Sequence, residues 1–529
     1  MKKTLLVIFC LTASTLYAQT PTFDWAFGLG GNYYDKGIDV ATDSTGNVYA
    51  LGSFANTVDF DPGSNVLNLT SNNNSDDVYI AKYNAAKDLL WAHVFGGTGN
   101  ETPIAMALDA SGNCYLTGRF SGTVDFDPGA GTANITASGA FDVFIVKLSP
   151  SGIYLWAKNF GGTFGTFVDE ISVDDAGSVY TAGTFQTTTD FDPSPAVFNL
   201  VSTGGQDPYL AKLDAAGNFV WALNTGFNIS KLYCDINNSL FIAGGFNDTT
   251  DFDLSSSQTL NIVPSGNYDI YISKYDTAAN LIWVKTMGST GSSGGVLGIT
   301  TDMAGNIIAT GTFTVNLTSS GSGSTLSDMY FLKLDAAANF VWVKKIGGNN
   351  LDYPLDVATD NAGSIYLTGV FKSSVVDFDP DTTVTFNLNG TMGSYDAFVL
   401  ILSATGNFIY AYEIGGPSNG DDYGNGICVN PLGSYYVTGT FYGPIDFNPG
   451  AGTTTLNDNG NTDAFIQKMN FSLVGLADTD EENYFSVYPN PANQIVTISL
   501  PSVKNQSSEV KVFDAIGKEI LSTRVAGGI

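Results

Sequence analysis

All six tryptophans of this chain fall in one recurring motif, and that repetition restricts the fold more than any other feature. Trp25, Trp91, Trp156, Trp221, Trp283 and Trp342 each precede a small residue. A Gly-Gly pair usually follows a few residues on, as in WAHVFGG and WVKKIGG, and Tyr410 in YAYEIGG makes a seventh copy. The intervals are 66, 65, 65, 62, 59 and 68 residues. Self-similarity at so regular a period means one supersecondary unit repeated, and each period has room for four strands and an elaborated loop.

Three more motifs recur within the intervals. The first is a hairpin of the form D-x-x-G-N-x-Y-x-x-G-x-F, running Asp43 to Phe54, Asp109 to Phe120, Asp174 to Phe185, Asp235 to Phe246, Asp302 to Phe313, Asp360 to Phe371 and Asn430 to Phe441. Its Asp caps the turn through the side chain, and Gly (Asn238 in the fourth copy) takes the positive φ. The second is V-D-F-D-P or a close variant at Asp59, Asp125, Asp190, Asp251 and Asp377, altered at Asp446 and missing from the fifth repeat. The third is D-x-[YF]-[IVLF]-x-K, opening at Asp77, Asp142, Asp207, Asp269, Asp328, Asp396 and Asp463, and only the sixth copy lacks the lysine.

Each interval reads as strands a and b around the Asp-Gly turn, strand c from D-x-[YF], and strand d around the Trp. Seven a-b-c sets run from about residue 36 to 469; the last has no Trp strand after it, and the first has an orphan one before it at Trp25. The orphan completes the last unit, so the expected fold is an all-β, seven-bladed β-propeller closed by its N-terminal strand, which leaves few exposed edges. Composition agrees. Seven Glu stand against 44 Asp, with 60 Gly, and such a chain favours turns over long helices. Alternation on strand d sets Trp on one face and a small residue such as Ala92 or Ala157 on the other, so the tryptophans are assigned to packing between sheets.

The run GG-x-x-x-D-x-x-x-x-x-x-x-D-x-x-G-x-x-Y-x-x-G, from Gly347 to Gly369 and with a variation from Gly96 to Gly118, resembles the SBBP-type β-propeller repeat of secreted bacterial proteins. The resemblance covers about 450 residues, which is the span of the repeats. The repeats here are longer, because VDFDP and a Thr/Asn/Gly-rich stretch precede strand c. The resemblance implies an architecture and no reaction. After an acidic linker, Asp478 to Glu482, the segments Tyr488-Pro-Asn-Pro491 and Phe513-Asp-Ala-Ile-Gly-Lys518 are similar to the C-terminal sorting domain read by the type IX secretion system of Bacteroidetes. That family continues through further strands beyond the point where this sequence ends, so the tail reads as an incomplete, β-sandwich-like sorting domain.

Lys2 and Lys3, an apolar run from Leu5 to Leu11 and small or polar residues to Ala18 read as a signal peptide. The run is too short to span a bilayer. The expected organisation is a signal peptide at 1–18, the propeller at 19–475, and a linker with the sorting domain at 476–529, in a protein that is secreted or at the outer cell surface. Lys+Arg 21 against Asp+Glu 51 gives a net charge of −30, which argues against nucleic acid and anionic membrane surfaces. Cys114, Cys234 and Cys428 are odd in number and far apart, so neither a disulfide framework nor a zinc site is expected.

No catalytic, cofactor-binding or metal-ligating residue is singled out. His93, the only histidine, occupies a slot held elsewhere by Phe27, Lys158, Leu223, Lys285 and Lys344, which fits a strand side chain with no special task. Carboxylates are the one abundant reactive group. The VDFDP pairs, with Val and Phe pointing inward, suit Ca²⁺ as the one conceivable cofactor, and so do the acids opening strand a: Asp35, Glu101, Asp352 and Asp422, expected near one mouth of the central channel. The competing reading is that these acids cap turns and protect edges. The chain therefore reads as a binding or adhesion module, with the secretion machinery and a glycan or protein ligand as partners. The alternatives are an extracellular polysaccharide-active enzyme using Asp residues at the propeller mouth, or a purely structural surface protein.

Overall fold

The computed structural model describes residues 20–471 apart from 73–74, 256, 289–293, 314–327, 392, 417–419 and 432, and four strands farther along the chain. Thr20–Phe471 forms one compact unit, and Ser472–Ile529 falls in a second. In the second, Ser486–Tyr488 pairs with Thr497–Ser499, and Ser508–Phe513 with Glu519–Val525, both antiparallel.

The first unit is all-β. Its repeats form seven four-stranded antiparallel meanders, and the second and third merge through the pairs Gly161↔Asp190 and Gly162↔Thr189. Their inner strands are Lys36–Thr42, Thr102–Leu108, Thr166–Val173, Asn228–Cys234, Gly294–Thr301, Asp352–Thr359 and Tyr423–Val429. Each packs beside the next, and the seventh returns against the first, which makes a closed ring with a central channel. The outermost strand of blade 7 is Thr22–Leu29, paired antiparallel with Asp463–Asn470, so both ends of the repeat region meet in one sheet. Hydrophobic cores lie between successive blades; the one between blades 7 and 1 gathers Leu29, Val40, Val48 and Tyr436.

The hairpin turns follow their sequence. Asp43 Oδ1 accepts the N–H groups of Thr45 and Asn47, and positive φ occurs at Gly46, Gly112, Gly177, Asn238, Gly305, Gly363 and Gly433, one per blade. The Gly-Gly pairs have a steric reason. A methyl group on Gly96, Gly161, Gly30 or Gly347 would lie 1.8, 2.0, 2.1 or 2.2 Å from the carboxylate of Asp77, Asp142, Asp463 or Asp328, the residue that opens strand c. VDFDP builds a small extra hairpin with the polar stretch after it, as in Thr57–Asp59 with Asn68–Thr70. Its Val58 and Phe60 are buried, as the alternation predicts.

The conserved spacing of Tyr, Lys and Trp within the repeats makes a clasp between blades. Tyr49, Lys82 and Trp91 sit in register across strands b, c and d. Lys82 Nζ donates to the carbonyl of Pro150 in the c–d turn of the next blade (3.0 Å), and so does Trp91 Nε1 (3.2 Å), while Tyr49 Oη donates to Gly112 O (3.1 Å). Lys82 also pairs with its own turn acid, Asp43, at 3.0 Å. Lys147 and Trp156 both bind Ala215 O, Lys212 binds Thr277 O, and Lys333 binds Ala404 O. At the closure, Lys468 and Trp25 bind Ala85 O at 2.9 and 3.1 Å.

The tryptophans thus do more than nest against small residues. Trp25 is 7% exposed, but Trp91 and Trp156 are only half-buried, with an indole N–H spent on the neighbouring turn. Cys114 is buried, Cys234 and Cys428 are half-buried, and all three are free thiols.

Candidate functional site

The acids that open strand a hold the loops together. Asp35 accepts N–H groups from Gly31 and Ala55, Glu101 from Gly97, Asp352 from Gly348, Lys372 and Ser373, and Asp422 from Tyr442. All four are at most 1% exposed. Burial drives Asp35 up to about 6, and Glu101 and Asp422 up to about 8, partly offset by these N–H bonds. These acids stand where the inner strands begin and lie buried beneath the loops, because an acid at or just ahead of the start of an inner strand is where the loop backbone has N–H groups to satisfy.

The VDFDP carboxylates have the same occupation. Asp59 Oδ1 accepts N–H groups from Asp61 and Leu67, and Asp61 Oδ1 from Gly63. The pattern repeats at Asp125, Asp190, Asp251, Asp377 and Asp446. Among the described residues no three His, Cys, Asp or Glu side chains converge as a metal would require. His93 stacks on Trp91 with centroids 5.1 Å apart, and burial lowers its pKa.

Two other places gather polar chemistry, and neither follows the repeat pattern. The first is inside the channel. Every inner strand carries a β-bulge at the same level, followed by Asp39, Ala105, Glu170, Lys231, Gly298, Asp356 and Gly426 in blades 1 to 7. Each acid reaches toward the next blade. Asp39 Oδ2 accepts Met106 N (2.8 Å), Asp356 Oδ2 accepts Ile427 N (2.8 Å), and Glu170 Oε2 pairs with Lys231 Nζ (2.8 Å). Burial, then the facing charge of Asp356, raises Asp39 to about 7. Burial raises Asp356 to about 6 against the pull of Lys231. Lys231 is pushed up, the charges of Glu170 and Asp356 overcoming its burial. Below the ring, a cavity of about 350 Å³ opens where the inner strands end, lined by Ala41, Thr42, Tyr233, Thr300, Ala358 and Cys428 among others.

The second place is on the opposite face, where the inner strands begin. Tyr353, Tyr395 and Tyr423 form a row with centroids 6.4 and 6.0 Å apart. Lys372 Nζ lies 4.7 Å from the Tyr395 ring, and Asp421 Oδ1 accepts the Tyr395 N–H at 2.9 Å. Burial, then the neighbouring negative charge of Asp421, raises the Tyr423 hydroxyl. Across the same face, Arg119 lies 5.6 and 5.8 Å from the rings of Phe141 and Phe167. Tyr395 and Phe141 occupy the slot just before strand c, Tyr353 and Tyr423 the slot just after the strand-a acid, and Phe167 the same slot after Thr166. Asp76, Gln206 and Thr462 fill the former in other blades, so no repeat pattern marks them.

Residues 486–528 match the secretion system C-terminal sorting domain. The chain is 23% identical to an uncharacterised WD repeat-containing protein of Acanthamoeba polyphaga mimivirus, over 92% of this chain and 41% of that protein. It is 25% identical to the regulatory protein FlaEY of Caulobacter vibrioides, over 38% of this chain and 21% of that one. The chain thus spans less than half the length of these curated relatives. Among solved structures, it is similar to a protein from Lactobacillus plantarum (12% identity, TM-score 0.34, 72% of this chain and 88% of that one). It is also similar to the β-propeller domain of Myceliophteria thermophila Cps50 (Swd1), at 9% identity and TM-score 0.29, over 64% of this chain and 96% of that one. The molecule is an all-β propeller-type protein that carries a type IX sorting domain, the mark of proteins secreted and then held at the cell surface or released.

Proposed function

We propose that the propeller is the exported cargo and works as an extracellular glycan-binding module through the face where its inner strands begin. Residues 1–18 serve as the signal peptide for the first membrane, 19–475 as the binding domain, and 476–529 as the linker and sorting segment. The observation that carries this reading is the row of Tyr353, Tyr395 and Tyr423 flanked by Lys372 and Asp421. Aromatic faces beside charged hydrogen-bonding groups supply the mixed apolar and polar contacts that a sugar ring needs. Loops on a rigid scaffold are where recognition concentrates. The acids sealed under the same loops act as their framework, holding the tyrosines in place.

Affinity electrophoresis of the full chain through gels containing laminarin, xylan, mannan or polygalacturonate tests the reading. Retardation by at least one polymer, abolished in Tyr395→Ala, is the expected result. Unretarded migration in all four gels, or retardation unchanged by Tyr395→Ala and Tyr423→Ala, speaks against it.

A further inference from the structure

We propose that the channel cavity is a second binding site, which takes a primary alkylammonium group of about lysine side-chain length inserted from the face where the inner strands end. In a strand, residues two apart share a face and lie about 6.6 Å apart. Ala41, Tyr233, Thr300, Ala358 and Cys428, all lining the cavity, each stand two residues beyond a member of the bulge ring: Asp39, Lys231, Gly298, Asp356 and Gly426. The cavity's own lining carries the acids Asp302, paired with Lys333, and Asp360, held by the N–H groups of Ala362 and Ser364; the ring lies one alternation step deeper along the same strands.

Its charges do not balance. Asp39, Glu170 and Asp356 face one cation, Lys231, which is engaged by Glu170 at 2.8 Å. Among the described residues, Asp39 and Asp356 hold only backbone N–H groups at hydrogen-bond distance. Asp169, exposed beside Glu170, adds a further negative charge. The walls are partly apolar, with Ala41, Val357, Ala358 and Val429. At about 350 Å³ the space is far larger than a bare ion and falls within the range of small-molecule pockets. Apolar walls leading to uncompensated carboxylates match an alkyl stem with a cationic head. A metal ion fits less well, since both oxygens of Asp39 and of Asp356 already accept an N–H. The cavity lies on the face opposite the tyrosines, so this proposal and the glycan reading fail independently.

The test is isothermal titration of the full chain at pH 8 with n-butylammonium and with its neutral counterpart n-butanol. Saturable binding of the ammonium, at least tenfold tighter than the alcohol, is expected. The affinity should drop at least tenfold in Asp39→Asn/Asp356→Asn, and also in Ala358→Leu, which narrows the cavity and leaves the carboxylates in place. Absence of saturable ammonium binding to the wild-type chain, equal binding of the alcohol, or full binding by a folded Ala358→Leu protein would overturn the proposal.

Discussion

The junction between blades 7 and 1 and the junction between blades 6 and 7 are neighbours in the ring, yet they are built differently. At the first, Trp25, Lys468 and Tyr436 reach Ala85 O and Gly46 O, the same clasp that Trp91, Lys82 and Tyr49 make on blade 2. At the second, the registered row is Tyr366, Ile401 and Tyr410. Blade 7 has no c–d turn to receive a clasp, because its strand d comes from the other end of the repeat region. With no carbonyl of a neighbouring c–d turn to accept it, a lysine there would keep only the turn acid Asp360 as a partner, and Ile401 is fully buried instead. The Tyr366 hydroxyl turns back to Asp360, and its ring packs on Phe471. The missing lysine and the tyrosine in place of tryptophan thus have one cause, the seam of the ring.

The largest expected effect comes from removing the closing strand. Deleting Thr20–Leu29 exposes the blade 7 edge and unclasps blade 1, so thermal unfolding should lose its single cooperative transition or shift down by more than about 15 °C. Point changes should sharpen the contrast. Lys82→Met strips the half-buried Asp43 of its cation and Pro150 O of its donor, an expected loss of about 1 to 3 kcal/mol in urea unfolding. Lys345→Met, at a pair whose lysine is 52% exposed, should cost less than about 1 kcal/mol. Gly96→Ala drives a methyl against Asp77 and should cost about 1 to 3 kcal/mol. Gly415→Ala at the seam, where the nearest Asp396 atom is 2.8 Å away, should cost less.

A smaller, graded effect is expected from pH. Burial holds Asp39 and Asp463 near 7 and Glu101 and Asp422 near 8, far above their unfolded values of about 4. The folded state therefore binds more protons, and the stability these groups contribute is full below about pH 4 and lost as pH rises through 7 to 8. Asp43 has the opposite sign. Burial raises it, but Thr45, Asn47 and Lys82 together bring it to about 2, so its contribution disappears as pH falls below 4. The melting temperature should fall steadily between pH 5 and 8, and Asp422→Asn should flatten the upper part of that slope.

How much of this was legible in the sequence depended on repetition. The turns and the inward Phe of VDFDP recur in nearly every blade and local chemistry dictates them, and the closing strand stands out as the one unmatched Trp motif, so they could be read directly. Glycine followed by glycine was visible as a pattern, but its reason, the carboxylate lying against it, comes from a neighbouring strand about 20 residues back in sequence, or, for Gly30 and Asp463, from the other end of the repeat region. The channel ring was invisible because no one residue type fills its slot: Asp39, Ala105, Glu170, Lys231, Gly298, Asp356 and Gly426 share a level only through the seven bulges. The tyrosine row escaped for the same reason. Acids at the start of strand a were seen but their burial was not, since sequence does not show which loop N–H groups will close over them.

The central claim is that Thr22–Leu29 is the outer strand of the last blade, and a cross-strand disulfide tests it most directly. Ala26 stands opposite Gln467 in the register, close enough for a disulfide to span the pair. Full chain carrying Ala26→Cys and Gln467→Cys should cross-link without added catalyst, run faster on a non-reducing gel, and melt higher when oxidised. Free thiols at both positions in a folded protein, or a disulfide that lowers the melting temperature, would contradict the closed ring.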